Sequence, residues 1–303
     1  MDIISLLNNH YPMRFDRLEL VRDIGSTAYV VFARDQRFFL RVLKPAFLDT
    51  AVKAVEIQVF LQARDFPVPP IVFSKENAPY IRMNKTDGMH VCVLYDYIEG
   101  DECDPEQDAE AIGALVGKLH RAMKAYPGAL VKRDRYFFID RYIEILRKKQ
   151  YAKAEEFLAY GDALWEKVKD LPRGYCHGDM YSGNIHKTPD GRLYVLDFDT
   201  SCEGFPMYDP VLICNMTHYF DFDKRGYGKS KWVLSRFLPE YRKHNALSQA
   251  EIDAFDDLIA LYHFALQATV IENFGLDCVD SAFLDKQLDW LYQWRAQCGA
   301  LRK

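Results

Sequence analysis

At 303 residues, the chain can hold one large domain or two lobes that share a cleft. Apolar residues make up 49% and charged residues 27%, which excludes a disordered chain. The net charge of −5 leaves no basic footprint for nucleic acid.

The opening residues, MDIISLLNNHYP, lack the basic start and long apolar core of a signal peptide. The first hundred residues then read mostly as strands. Residues 28–33 and 38–43 are β-branched and aromatic runs around the polar turn Arg34-Asp35-Gln36-Arg37. A helix is expected next, capped by Asp49 or Thr50, with Val52, Val55, Val59 and Phe60 on its apolar side and PVPP at 67–70 ending it. Two more strands are expected near 79–83 and 91–97, before the turn Glu99-Gly100-Asp101.

Beyond residue 103 the texture becomes helical. Asp104-Pro105 makes a cap and first turn, and Ile112, Leu115, Val116, Leu119 and Met123 form a stripe. Further helices are expected over about 134–149, 153–169, 208–219, 230–243, 249–271 and 281–297. The one β interruption in this half is a hairpin, Asn184–Lys187 and Arg192–Leu196 around Thr188-Pro189-Asp190-Gly191. The longest apolar run, 258–271, is shorter than a membrane span and contains His263 and Gln267. Seven cysteines with no CxxC pair read as reduced thiols, so a cytoplasmic protein without membrane contact is expected. The division anticipated is residues 1–99 as a small β-rich lobe and 100–303 as a large helical one.

The stretch "YCHGDMYSGNIHKTPDGRLYVLDFD", residues 175–199, carries the chemistry. The hairpin puts Asp179 and Asn184 on the loop entering its first strand and Asp197 and Asp199 at the end of its second. Asp179, Asn184 and Asp197 can therefore converge, although up to eighteen residues separate them. Carboxylate and amide oxygens suit Mg²⁺, which prefers hard oxygen ligands and keeps several waters. His177-x-Asp179, followed by Asn184 five positions after the aspartate, has the spacing of a phosphoryl-transfer catalytic loop, and Asp197 opens Asp-Phe-Asp where protein kinases have Asp-Phe-Gly.

On HGDxxxxN, the hairpin, DFD and the following "FPMYDP", the chain resembles the aminoglycoside phosphotransferase and choline kinase family over about residues 20–215. The resemblance implies an α+β, bilobal protein-kinase-like fold: an antiparallel-sheet lobe with one helix, then a mainly helical lobe. It implies Mg²⁺-dependent transfer of the γ-phosphoryl group of ATP, or of GTP, to a hydroxyl of a small molecule. Asp179 would be the catalytic carboxylate, and Asn184 and Asp197 the metal ligands. Asp199 would assist the metal or cap the next segment. His177 and Asp209 would brace the loop, and His120 reads as a satisfied core histidine. A pseudokinase that binds nucleotide without turnover is the alternative, supported by Arg41 and a thin glycine loop.

A kinase fold also needs a cation on the phosphates and a carboxylate to hold it. Alternation along 38–43 puts Phe39, Arg41 and Leu43 on one face. Arg41 stands where the family usually has lysine, with Lys44 the alternative. Glu56, four residues from both Val52 and Phe60, is the expected partner of Arg41. The resemblance makes Phe39 an adenine-stacking ring, with core packing as the other reading, and makes Tyr95–Ile98, including Asp96 and Ile98, the hinge that binds the base edge. Only Gly25, followed by Ser26 and Thr27, is available to cover the phosphates.

The acceptor is less legible. Residues 250–290 hold nine acids and one base, a balance of −8, with six interleaved aromatics. These would suit a cationic small-molecule substrate; a solvated helix face accounts for the acids equally well. The oligomeric state is left open.

Overall fold

The structure, a computed structural model, describes residues 2–24 and 26–301. The chain divides into two compact units: the chain through Cys103 together with Ser182–Thr200, and Asp104–Tyr181 together with the chain from Ser201 onward.

The first unit opens with a helix, α1 (Ile3–His10), which was not anticipated from the sequence although Ile3, Ile4, Leu6 and Leu7 carry helical spacing. Five strands follow in antiparallel order β1-β2-β3-β5-β4: β1 (Arg17–Ile24), β2 (Ser26–Ala33), β3 (Gln36–Leu43), β4 (Ile81–Lys85) and β5 (Gly88–Asp96). Helix α2 (Leu48–Gln62) lies between β3 and β4 in sequence. In β3 the two side-chain sets serve different cores. Phe38, Leu40 and Val42 join Leu6, Leu7, Tyr11 and Phe15 on one sheet face. Phe39 and Leu43 join Ala51, Val55, Val93 and Tyr95 on the other. Both faces of the sheet are covered, so β3 reads as a nearly unbroken apolar run in which Arg41 stands out.

The hairpin packs with this first unit. Strands β6 (Asp101–Glu102), β9 (Ile185–Lys187) and β10 (Leu193–Val195) form a sheet in the order β10-β9-β6. Its turn is closed by Thr188, whose N–H donates to Arg192 O at 2.9 Å and whose carbonyl accepts from Gly191 N at 2.9 Å. Gly100 is required by close approach, because a Cβ there would collide with the Lys187 carbonyl.

The second unit is mainly helical: α3 (Pro105–Met123), α4 (Arg141–Lys148), α5 (Ala154–Val168), α6 (Tyr208–Cys214), α7 (Arg225–Arg242), α8 (Gln249–Asp253), α9 (Phe255–Phe274) and α10 (Ser281–Leu301). Asp104 caps α3 by accepting from Glu106 N and Gln107 N. The stripe expected on α3 is buried, and Gly113 and Gly117 let α7 approach so closely that a Cβ on either would strike the Phe237 or Tyr241 carbonyl. The sequence reading missed a second β element here: β7 (Val131–Lys132), β8 (Gly174–Cys176) and β11 (Cys202–Gly204) form a three-stranded sheet in the order β7-β11-β8. Strands this short carry almost no periodicity. All seven cysteines are thiols outside any disulfide. Among the described residues no helix is long and apolar enough to cross a membrane.

In the core of this unit His263, from α9, stacks on Trp290 with ring centroids 4.4 Å apart and planes at 12°. Burial disfavours its cation and pushes its pKa down from 6.5 to about 4. A base with a depressed folded pKa contributes stability above its unfolded pKa, and that contribution fades as pH falls toward the folded value. Unfolding free energy is therefore expected to drop by up to about 1.4 kcal/mol per pH unit between pH 6.5 and 4 from this residue. Urea titrations at stepped pH check this: His263→Gln should flatten the slope in that window, and an unaltered slope would exclude His263 as its source.

Candidate active site

In the first unit, Arg41 reaches from β3 to two carboxylates. Its Nη2 lies 2.8 Å from Asp199 Oδ2, and its Nη1 lies 3.4 Å from Asp199 Oδ1 and 3.5 Å from Asp197 Oδ1. The fork on Asp199 is bidentate, the geometry a guanidinium supports and an ammonium does not. The side chain is only 12% exposed. Burial opposes its charge, but Asp197 and Asp199 outweigh burial and raise its pKa. Arg22 Nη2 approaches Asp197 Oδ2 at 4.0 Å, so two cations face that carboxylate. Asp197 itself has φ 55°, a left-handed conformation costly for a non-glycine residue and found disproportionately at functional sites. Asp199 sits on the short helical turn Phe198–Thr200, against which α2 packs.

Glu56 does not pair with Arg41, which corrects the expectation above. The buried residues of α2 include Ala51, Ala54, Val55 and Gln58. At about 100° per residue, Glu56 falls on the far side from them and is exposed. The polar residue that α2 buries is Gln58, whose Oε1 accepts from the Tyr95 hydroxyl at 3.0 Å. Lys44 is engaged with Asp23 at 3.1 Å, and Asp23 also accepts from the Thr27 hydroxyl at 2.8 Å. Ser26 is buried at the start of β2, while Gly25 lies outside the described residues. Phe39 is half-buried against the α2-side core, opposite Tyr95 in the ladder. Asp96 ends β5, with its N–H donated to Pro70 O at 2.9 Å. Ile98 lies just past the strand, in no ladder.

Asn184 is buried, and its carbonyl accepts from Leu196 N at 2.9 Å, which fixes it beside the residue preceding Asp197. The oxygens of Asn184, Asp197 and Asp199 are all hard donors, and the two carboxylates already take a cation from Arg41. That donor set fits Mg²⁺, which needs only one or two carboxylates when phosphates and waters complete its shell.

Asp179 belongs to the second unit. It is half-buried and follows Gly178, whose φ of 82° suits glycine. Asp209, completely buried at the start of α6, clamps this loop as expected from the sequence. Its carboxylate accepts from His177 N at 2.6 Å, Gly178 N at 2.9 Å and His120 Nε2 at 2.9 Å. His120 completes its bonding through Nδ1 to the Tyr241 hydroxyl at 2.7 Å.

Three tyrosines feel the charge of Asp179: Tyr262, read from the sequence as one of the aromatics interleaved with the acids of 250–290, and Tyr208 and Tyr219, which sequence reasoning did not single out. Tyr262 packs edge-on to Tyr208 (6.0 Å between centroids) and to Tyr219 (5.5 Å). Burial raises the pKa of all three hydroxyls, and the Asp179 charge pushes each further up. They come from three places in the sequence, and no short motif joins them.

Four of the nine acids in the stretch 250–290 pair with bases outside it. Asp256 pairs with Lys231, Asp257 with Lys167, Glu272 with Arg141 and Asp285 with Lys153, at 2.8, 2.8, 2.6 and 2.7 Å. Glu251 caps α8 through Ser248. Most of the local surplus of acid is thus structural.

Residues 19–260 match the phosphotransferase enzyme family, and the chain belongs to that family. In fold it is similar to an amicoumacin kinase (TM-score 0.72, 16% identity, 98% of this chain and 94% of that one). It is likewise similar to a microcompartment-associated aminopropanol kinase (TM-score 0.68, 16% identity, 96% and 94%). In sequence it is similar to an uncharacterised protein of Deinococcus radiodurans (23% identity over 98% of this chain and 90% of that protein). A homoserine kinase of Rhizobium meliloti aligns at 26% identity over 49% of this chain and 46% of its own. The α+β protein-kinase-like fold expected from the sequence is the fold observed, and the family to which the chain belongs is one of phosphotransferases.

Proposed function

We propose that the protein transfers the γ-phosphoryl group of ATP to a hydroxyl of a small amine-bearing acceptor, with Mg²⁺ as its metal. The observation that carries this is Asp179 in the HGDxxxxN loop, held by the Asp209 clamp and flanked by Tyr208, Tyr219 and Tyr262. Asp179 orients the acceptor hydroxyl and takes its proton late, a role that depends on position because the transition state is loose. The tyrosine faces suit an ammonium group on the acceptor. Asn184 and Asp197 would hold Mg²⁺, which neutralises charge on the β- and γ-phosphates. Arg41, whose fork holds Asp199, would lend those phosphates its lasting positive charge. The segment from Asp96 to Ile98 would meet the base edge and Phe39 its face, while Ser26 would donate to phosphate. The similar proteins are named for homoserine, aminopropanol and amicoumacin, which supports a small-molecule acceptor.

The test is ADP release by purified protein with ATP and Mg²⁺ across a panel of hydroxylated amines. Turnover confined to one acceptor class is expected. Nucleotide binding without release for any acceptor would favour the pseudokinase reading instead.

A further inference from the structure

We propose that Arg133 recognises the acceptor and that this acceptor carries a carboxylate as well as its reacting hydroxyl; this rests on the kinase reading above. Arg133 follows β7, with its backbone held on both sides: its N–H donates to Glu203 O at 2.9 Å and its carbonyl accepts from Arg173 Nη1 at 3.1 Å. Its Nη1 donates to the Gly178 carbonyl at 3.0 Å, the carbonyl directly preceding Asp179. The guanidinium lies over the Phe137 ring, 4.1 Å from the centroid.

Phe137 sits on a π-helical turn, Tyr136–Asp140, that leads into α4. Arg141, one turn on, covers the same ring at 4.4 Å. Two guanidiniums therefore share one aromatic ring, and each feels the other: the charge of Arg133 is among the influences that lower the pKa of Arg141, after burial. Only one of them is neutralised. Arg141 pairs with Glu272 at 2.6 Å and spends its other N–H groups on Phe137 O, Ala265 O and the Thr269 hydroxyl. Arg133 forms no ion pair among the described residues and uses one of its five N–H donors on Gly178.

Elsewhere in this unit half-buried arginines are paired: Arg135 with Asp140 and Asp162, and Arg236 with Glu110. Asp134, next in the chain, accepts through Oδ1 from Tyr136 N and Phe137 N, and Glu203 meets Arg133 through its backbone carbonyl. A planar fork fixed on a ring, with spare donors one residue from Asp179, matches a carboxylate bidentately. With the tyrosines taking an ammonium, the acceptor class is a small hydroxylated amino acid or hydroxy acid.

The experiment offers the full-length protein ATP, Mg²⁺ and three pools of hydroxylated compounds of similar size: polyols, amino alcohols, and hydroxy acids that include hydroxy amino acids. L-Homoserine and 3-aminopropan-1-ol, which differ only by the carboxylate, serve as the matched pair. The acid pool should release ADP fastest. Arg133→Gln should lower kcat/KM for the carboxylate member about ten- to a hundredfold more than for its carboxylate-free partner, mainly through KM. Arg133→Lys, which keeps the charge without the fork, should fall between and stands in if the Gln variant does not fold. A preference for polyols or amino alcohols overturns the proposal, as does an equal loss on both members, which would mean that Arg133 only braces the loop. No ADP from any pool, with ATP still bound, overturns the kinase reading itself.

Discussion

Asp179→Asn is expected to lower the rate of phosphoryl transfer by about 10²–10⁴-fold, the range that removal of a positioned proton acceptor produces, while leaving nucleotide affinity and thermal stability almost unchanged. The substitution is nearly isosteric. The loop's own supports are independent of this side chain: Asp209 receives His177 N and Gly178 N, and Tyr181 N donates to the Asp179 carbonyl at 3.0 Å. What the variant would lose is the negative oxygen proposed to align and deprotonate the acceptor. Steady-state ADP release and calorimetric nucleotide binding on the same preparation separate the two effects. Undiminished turnover in Asp179→Asn would remove this residue from the mechanism.

Asp209→Ala should be the most damaging single change to folding, by about 3–5 kcal/mol, the cost of breaking a buried charged pair by deleting one member. Its carboxylate is the acceptor for two backbone N–H groups and for His120; His177 and His120 are buried and Gly178 is half-buried. Removing it leaves each buried donor in a site that water does not reach. Burial alone would raise its pKa, but the His120 hydrogen bond, the nearby histidine charges and the Gly178 N–H outweigh burial and lower it. A carboxylate with a depressed folded pKa contributes stability above its unfolded pKa of 3.8 and loses it as pH falls through the folded value. The penalty in Asp209→Ala should therefore be full near neutrality and shrink in strong acid. Urea melts of both proteins at pH 7 and pH 3 measure this; a loss below about 1 kcal/mol at pH 7 would refute the clamp.

Much of the candidate site was readable because its parts lie close in sequence. The HGDxxxxN loop, the hairpin turn and Asp197 fall within twenty-five residues, where turn chemistry and motif spacing act directly. Asp209 was readable for the same reason. The partner of Arg41 was not, since it depends on how α2 and the turn Phe198–Thr200 pack on the sheet. An error of phase on one helix moved the choice to Glu56, whereas Asp199 lies 158 residues from Arg41. The acid-rich stretch misled because its neutralising bases, Lys153, Lys167, Lys231 and Arg141, are far away in sequence. Phe137 and Arg141, four apart on one helical run, did leave a signal, whereas Arg133 lies ahead of that run and joins them only through the fold.

The hairpin's membership in the first unit has a consequence for synthesis. A ribosome adding about 5–20 residues per second takes roughly 5–20 s to travel from Cys103 to Thr200. Through that interval the nascent sheet can close its own ladder, yet Arg41 lacks both Asp197 and Asp199. A guanidinium cannot shed its proton to enter an apolar core unpaired, so the emerging sheet keeps the Arg41 side chain wet until the later segment arrives. The first hundred residues are thus an unfinished folding unit, completed by a stretch translated almost a hundred codons later.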